Sequence, residues 1–307
     1  MNIFDLVPYE DAAFISNGER SELDRLLEYV PGTELGLHQL WQLMDKVWDE
    51  LGCDNRYPDP KKLKQYYYHP IWLLNGLFIE NHALSLASRQ AIISWICSHS
   101  NIESVLDFGG GFGTLGRMLA QQSPNIQVEI YEPHPHKFAL QKSISYKNLA
   151  FTSNTTKVYH CIVCTDVLEH VDDPIKLLSD MVSKLSTNGY LLIANHFYPS
   201  IKCHLPSTFH LRHTFKELAE LMGLQYESKL HEDYIQIFQK VEAPSLNWDH
   251  LRTAETHSRR WFWLYESRSQ IVRWAYRVKK LIHNPRASLL KLQSKYKNLF
   301  SRSSDQP

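Results

Sequence analysis

Three carboxylates and a run of glycines hold the clearest chemistry in this chain. Val105-Leu106-Asp107-Phe108 reads as a buried strand, Gly109-Gly110-Gly111-Phe112-Gly113 as a turn, and Thr114-Leu115-Gly116 as the first turn of a helix. Glycine lets the backbone bend sharply and approach a ligand, because no Cβ stands in the way. The helix start after Gly113 offers unpaired N–H groups to a negative group. Asp107 adds a carboxylate beside the turn, and Glu132 and Asp166 fall at or just after the ends of two later apolar runs. In an open α/β sheet, ligands sit beyond the carboxyl ends of the strands. The set suits a small ligand with one anionic and one cationic end.

S-adenosylmethionine, with an amino acid end and a sulfonium, is such a ligand. Asp107-x-Gly109-x-Gly111-x-Gly113 resembles the first motif of the class I S-adenosylmethionine-dependent methyltransferases. Tyr131-Glu132-Pro133 resembles their second motif, and Asp166-Val167-Leu168-Glu169-His170-Val171 that of their ubiquinone-biosynthesis-like branch. Asp172-Asp173-Pro174, the segment from Leu185 through Gly189 to Ile193, and His210 to Leu218 with Met222-Gly223-Leu224 follow in the family's order. The resemblance covers roughly residues 86–243. It implies a Rossmann-like α/β fold with a seven-stranded, mostly parallel sheet, helices on both faces and an antiparallel last strand. It also implies that the turn (Gly109, Gly110, Gly111, Gly113) with Asp107 holds the methionine moiety. Glu132 would hold the ribose, and Asp166 would face the methyl donor or the acceptor. The chain departs from the family after its third strand, where Ser153 and Asn154 stand in place of an acid that often contacts adenine.

The same glycines admit a rival. Gly111-Phe112-Gly113-Thr114-Leu115-Gly116 is a literal G-x-G-x-x-G, the dinucleotide fingerprint, with Glu132 downstream for a ribose. It starts several residues past the apolar run, however, and Asp107 would set a negative charge near a diphosphate. The Asp166–Val171 segment has no part in hydride transfer. The weak third strand keeps open another alternative, a non-catalytic module on a methyltransferase fold.

Methyl transfer to a hydroxyl needs a group to take the proton, which points to histidine or a carboxylate. Of sixteen histidines, His170, His196 and His210 are the candidates, each placed after a strand end or in the following loop, with His213 beside them. The reading is transfer to oxygen of a small-molecule or lipid- or glycan-linked acceptor. No metal site is expected, since His196, His204 and His210 lack a recognisable ligand spacing. Cys161 and Cys164 spell C-x-x-C inside an apolar run, where alternating faces send the sulfurs opposite ways; they read as core residues. The five scattered cysteines fit a reducing cytoplasm.

The elements that must place these groups follow from periodicity. Strands are predicted at 104–108, 127–131, 158–164, 190–195, 225–229 and 234–239, with a poorly marked one at 149–152. Helices are predicted at 114–121, 136–143, 173–184 and 214–222. Alternation of this kind argues for a parallel sheet between helical layers, and the short link 227–234 for an antiparallel hairpin. Residues 1–85 read as a helical segment that could cover the site. In it, Ser21 caps a helix over 22–29, a second helix ends near Gly52, and Ser85 or Ser88 caps one leading into the first strand. Residues 244–307 read as a basic, aromatic helical tail.

Charge is balanced overall, with 33 Lys and Arg against 33 Asp and Glu, so nothing draws the whole chain to nucleic acid. The distribution is lopsided: residues 1–60 hold thirteen acids against four Lys or Arg, and residues 252–307 hold thirteen Lys or Arg against three acids. The tail reads as packed on the enzyme or a partner subunit, or as a helix that meets a membrane surface through 259–297. The oligomeric state is left open. The N-terminus lacks the basic and apolar regions of a signal peptide.

Overall fold

The computed structural model describes residues 3–7, 11–241 and 246–283. Residues 1–252 form one compact unit and residues 253–307 a second. Five helices open the first unit: α1 (Asn17–Leu27), α2 (Leu37–Glu50), α3 (Pro60–Tyr67), α4 (Ile71–Asn81) and α5 (Ala83–Cys97). Strand and helix then alternate through β1 (Ser104–Phe108), α6 (Thr114–Gln122), β2 (Gln127–Tyr131), α7 (Lys137–Ser143), β3 (Leu149–Thr152), β4 (Tyr159–Thr165), α8 (Pro174–Ser183) and β5 (Leu185–Ala194). α9 (Leu211–Glu220), β6 (Leu224–Leu230), β7 (Ile235–Lys240) and α10 (Trp248–His283) complete the described chain.

The seven strands lie in the order β3-β2-β1-β4-β5-β7-β6. Neighbours from β3 to β5 run parallel, and β7 runs antiparallel to both β5 and β6. This is the mostly parallel, Rossmann-like sheet with an antiparallel last strand. Strand order reverses between β1 and β4, and a ligand crevice opens at such a switch point. Asp107 sits there, opposite Ile130 of β2 and Val163 of β4. The central strands read as continuous apolar runs because both faces are covered. One side packs Val105, Val128, Cys161, Val163 and Leu192 against α5 and α6 residues such as Ile93 and Leu119.

The N-terminal helices share a second core with the site's edges. Leu40, Met44, Trp48, Tyr66 and Leu74 cluster with Phe112 of the glycine turn, Phe138 of α7 and Ile201 and Cys203 of the loop after β5. Arg117 of α6 strengthens the join. It donates to the Phe112 carbonyl at 2.7 Å and pairs with Glu80 of α4, which also takes Lys142 of α7. Gly76 of α4 lies so near Phe112 that a Cβ would come within 2.5 Å of it.

Several boundaries differ from the sequence expectations. α1 is capped by Ser16, not Ser21, because Ser16 and Glu19 satisfy each other's backbone N–H in a reciprocal box. α5 starts at Ala83 behind His82; Ser85 pairs with the His82 ring and the Ser88 hydroxyl bonds back to the Ser85 carbonyl, so neither serine is the cap. α9 begins three residues before 214. β5 starts at Leu185 rather than at 190. Its pairing with β4 jumps from Tyr159↔Leu185 to Cys161↔Tyr190, and Asn188, at φ +61°, makes the irregularity that the sequence presents as a turn. β3 is marked weakly because it is an edge strand without a fully buried residue.

Candidate active site

The glycine turn takes its shape from positive φ angles at Gly109 (+71°), Gly111 (+55°) and Gly113 (+77°), a region that L side chains enter only at a cost. It hangs on β2, since Gly109 N–H donates to the Tyr131 carbonyl at 2.7 Å, and it closes on itself from Gly113 N–H to the Gly110 carbonyl at 2.8 Å. A Cβ on Gly110 would stand 2.6 Å from Asp107 Oδ2 and 2.7 Å from Ile130 Cγ2. One on Gly113 would stand 3.0 Å from Ile130 and from Phe151. At Gly111 nothing lies within 4 Å, so this glycine faces open space. Gly113 is also the N-cap of α6.

Asp107 is 2% exposed, and its Oδ2 has no hydrogen-bond partner. Burial pushes its carboxyl up to about 7, against the pull of the Arg89 charge and the Gly116 N–H. It lies beneath the turn rather than in the open crevice. Glu132, one residue past β2, turns its carboxylate back to the glycines. Its Oε2 accepts from Gly111 N–H at 3.0 Å and its Oε1 from His134 N–H at 3.0 Å. The second acid thus reaches the one glycine of the turn that faces open space. Tyr68 covers this corner, with its ring 4.2 Å from that of His134.

Asp166, one residue past β4, has φ +54° and accepts a hydrogen bond from the Tyr234 hydroxyl. Tyr234 is a site residue that the sequence reading missed. It stands at the start of β7, whose antiparallel course returns it to the carboxyl end of the sheet, where Ile235 pairs with Ala194 of β5. The hairpin itself was legible; a hydroxyl-bearing aromatic immediately before Ile235 was the available signal. Arg89 was missed too. It anchors to the Ser85 carbonyl at 2.9 Å, and its charge favours the ionised forms of both Asp107 and Asp166.

The histidines separate by environment. His196, half-buried after β5, meets Ser200 Oγ through Nε2 at 2.6 Å and has its pKa lowered by burial. Its backbone N–H donates to Glu169 Oε1 at 2.6 Å. Glu169 is fully buried, keeps an unpartnered Oε2, and is pushed up to about 8 by burial and by the charge of Asp166. His170 bonds the Cys203 carbonyl through Nδ1 at 3.2 Å, faces Tyr67 and Trp72, and is pushed down to about 3 by burial. His204, bonded through Nδ1 to the Tyr198 carbonyl at 2.7 Å, is pushed down to about 4. Its ring lies 4.8 Å from that of His170 and 5.7 Å from that of His196. Glu169, His170 and His204 bring one ligand atom each to within 4.8 Å of one another, a grouping other than His196, His204 and His210. His210 is buried at the start of α9. Cys161 and Cys164 are both buried thiols of β4.

A glycine turn at the switch point, with acids at three neighbouring strand ends, belongs to an α/β fold of the Rossmann-like type. The methyltransferase-domain family model matches residues 78–279, and the chain belongs to that family. Among curated relatives, the ubiquinone biosynthesis O-methyltransferase of Rickettsia canadensis is 26% identical over 148 residues, 44% of this chain and 63% of the relative. That of Rickettsia prowazekii is 27% identical over 137 residues, 41% of this chain and 54% of the relative. The chain thus spans less than two thirds of the length of these relatives. Solved structures with a similar fold include an O-methyltransferase family protein from Burkholderia thailandensis (14% identity, 72% of this chain and 77% of that one, TM-score 0.47). Human N-acetylserotonin methyltransferase in complex with S-adenosylmethionine is another (13% identity, 66% and 67%, TM-score 0.46). The family membership decides against the dinucleotide reading of Gly111–Gly116.

Proposed function

We propose that this chain is an S-adenosylmethionine-dependent methyltransferase that acts on an oxygen of a small-molecule acceptor. The observation that supports it most is the contact between Gly111 N–H and Glu132 Oε2 at 3.0 Å, which sets a carboxylate suited to ribose hydroxyls beside the open side of the turn. In this reading Gly109, Gly110, Gly111 and Gly113 cradle the methionine end. Asp107 supports the turn from below, and Glu132 exchanges its backbone partners for the ribose hydroxyls. Ser153 and Asn154 line the adenine side. The residues present fit the donor: the turn is open at Gly111, where nothing stands within 4 Å of a Cβ position, and Asp107 keeps a carboxylate oxygen unpartnered behind it.

When bound, S-adenosylmethionine supplies a methyl group on a sulfonium, and the sulfur keeps the electron pair as the C–S bond breaks. The protein's part is mainly to align the acceptor oxygen with that methyl group and to exclude water. Asp166 faces the methyl donor where its site meets the acceptor space, and the Tyr234 hydroxyl holds its carboxylate. His196 takes the acceptor's proton through Nε2 after releasing Ser200. A neutral imidazole near the strand ends is suited to that task. His170, which faces Tyr67, Trp72 and His204, is kept neutral by burial. The helices of residues 1–85, with Tyr67, Tyr68 and Trp72, form the cover.

Transfer of radiolabelled methyl from S-adenosylmethionine to a panel of phenols and carboxylic acids tests the activity. Organic-extractable label that depends on His196 supports it. Cofactor binding with no labelled product from any acceptor favours the non-catalytic module instead.

A further inference from the structure

The residues assigned to the methyltransferase site all belong to the first unit, and among the described residues α10 carries several exposed aromatic and aliphatic side chains. Within it, Trp263 is 75% exposed, Leu264 60%, Ile271 66% and Trp274 67%. At 100° per residue, Trp263, Leu264, Ser267, Ile271, Trp274 and Ala275 fall in an arc of roughly 120°. Large apolar side chains that face water in such a stripe mark an interaction surface.

The charge around the stripe says what covers it. Residues 253–283 hold seven Lys or Arg against two acids, in a chain with no net charge. Both acids are engaged along the helix itself: Glu255 with Arg259 at 2.6 Å, and Glu266 with Arg273 at 3.3 Å. Arg260 lies over the Trp261 ring at 5.8 Å, and Arg268 borders the stripe one helical turn past Leu264. A second copy of the helix laid on this face would bring arginine against arginine with no spare acid between them. An anionic lipid surface offers the complement to both features, with acyl chains for the indoles and aliphatics and headgroups for the guanidiniums. Among the described residues no helix is long and apolar enough to cross a membrane.

We infer that α10 is a membrane-surface docking helix that lies in the interface of anionic bilayers. Trp263, Leu264, Ile271 and Trp274 insert, and the flanking arginines bind lipid headgroups. The inference is independent of the catalytic reading. If that reading also holds, the helix brings the enzyme to acceptors that reside in the membrane.

The test uses the full chain and sucrose-loaded vesicles of phosphatidylcholine, with and without about 30% phosphatidylglycerol. The expected result is co-sedimentation with the anionic vesicles, a blue-shifted tryptophan emission, and release at high salt. Trp263→Ser with Trp274→Ser should abolish the binding. Arg268→Gln should weaken it by roughly fivefold. Both variants keep the circular dichroism and melting temperature of the wild type, which shows that the fold is intact. Failure to sediment with anionic vesicles overturns the inference. So does equal binding to pure phosphatidylcholine. Light scattering that shows a dimer lost in the double tryptophan variant assigns the face to a second copy, and also overturns it.

Discussion

The hydroxyl of Tyr234 donates to the carboxylate of Asp166, 68 residues away in sequence. Both ends of this contact rest on unusual backbone. Asp166 has φ +54°, and the turn that presents Tyr234 holds His231, Glu232 and Asp233 at +49°, +55° and +73°. Left-handed conformations of non-glycine residues cost on the order of 1 kcal/mol each and persist where the surroundings fix them. Their concentration beside the crevice fits a hairpin shaped to deliver one hydroxyl.

If Tyr234 acts through Asp166, their effects on cofactor binding are coupled. Asp166→Ala should weaken S-adenosylmethionine binding by roughly tenfold, and Tyr234→Phe by roughly threefold. The double variant should be no weaker than Asp166→Ala alone. Calorimetric titration of the three proteins checks this, and losses that simply multiply would separate the two residues.

The glycines of the turn are not equivalent. Gly110→Ala drives a Cβ against Asp107 and Ile130 and should cost roughly 1–3 kcal/mol of stability. Gly111→Ala meets open space and bears only the strain of its positive φ, about 1 kcal/mol. Thermal denaturation of the two variants should therefore place Gly110→Ala several degrees lower. The reverse order would contradict the described turn.

Glu169 makes stability depend on pH. Its carboxyl sits at about 8 in the folded protein, against an ordinary value of 4.5. The folded state holds a proton that the unfolded chain has released, so this contribution is present below pH 4.5 and is lost as pH rises to about 8. Glu169→Gln removes the titration. The melting temperature of the wild type relative to this variant should fall by roughly 5 °C between pH 5 and pH 8. A difference that stays constant across that range would show that Glu169 is ionised throughout.

His196 should set the acid limb of activity. Burial lowers its pKa from 6.5, so the neutral base persists below that value and turnover falls only at more acidic pH. His196→Ala should lower kcat by ~10²–10⁴-fold and remove that limb. A pH profile of kcat that is unchanged in the variant would exclude His196 as the proton acceptor.

The glycine turn and its neighbouring acids were legible in the sequence because they are local. Asp107, the glycine turn and the start of α6 are contiguous, and Glu132 follows at the next strand end; apolar runs mark those strands by themselves. The contacts around Asp166 and the histidines were not. Tyr234 reaches Asp166 only because β7 lies between β5 and β6, an order that no spacing encodes. His170, His196 and His204 converge from two segments whose side-chain directions depend on Glu169 holding the His196 backbone. The helix caps at Ser16 and His82 were missed because several serines compete at each site, and only the reciprocal Glu19 contact decides the first.

The most direct measurement is calorimetric titration of the purified chain with S-adenosylmethionine and S-adenosylhomocysteine. Saturable 1:1 heat is expected with both, with a loss of at least roughly tenfold in affinity for Glu132→Ala and no heat with NAD. No binding of either sulfur nucleoside, or binding that Glu132→Ala leaves untouched, would contradict it.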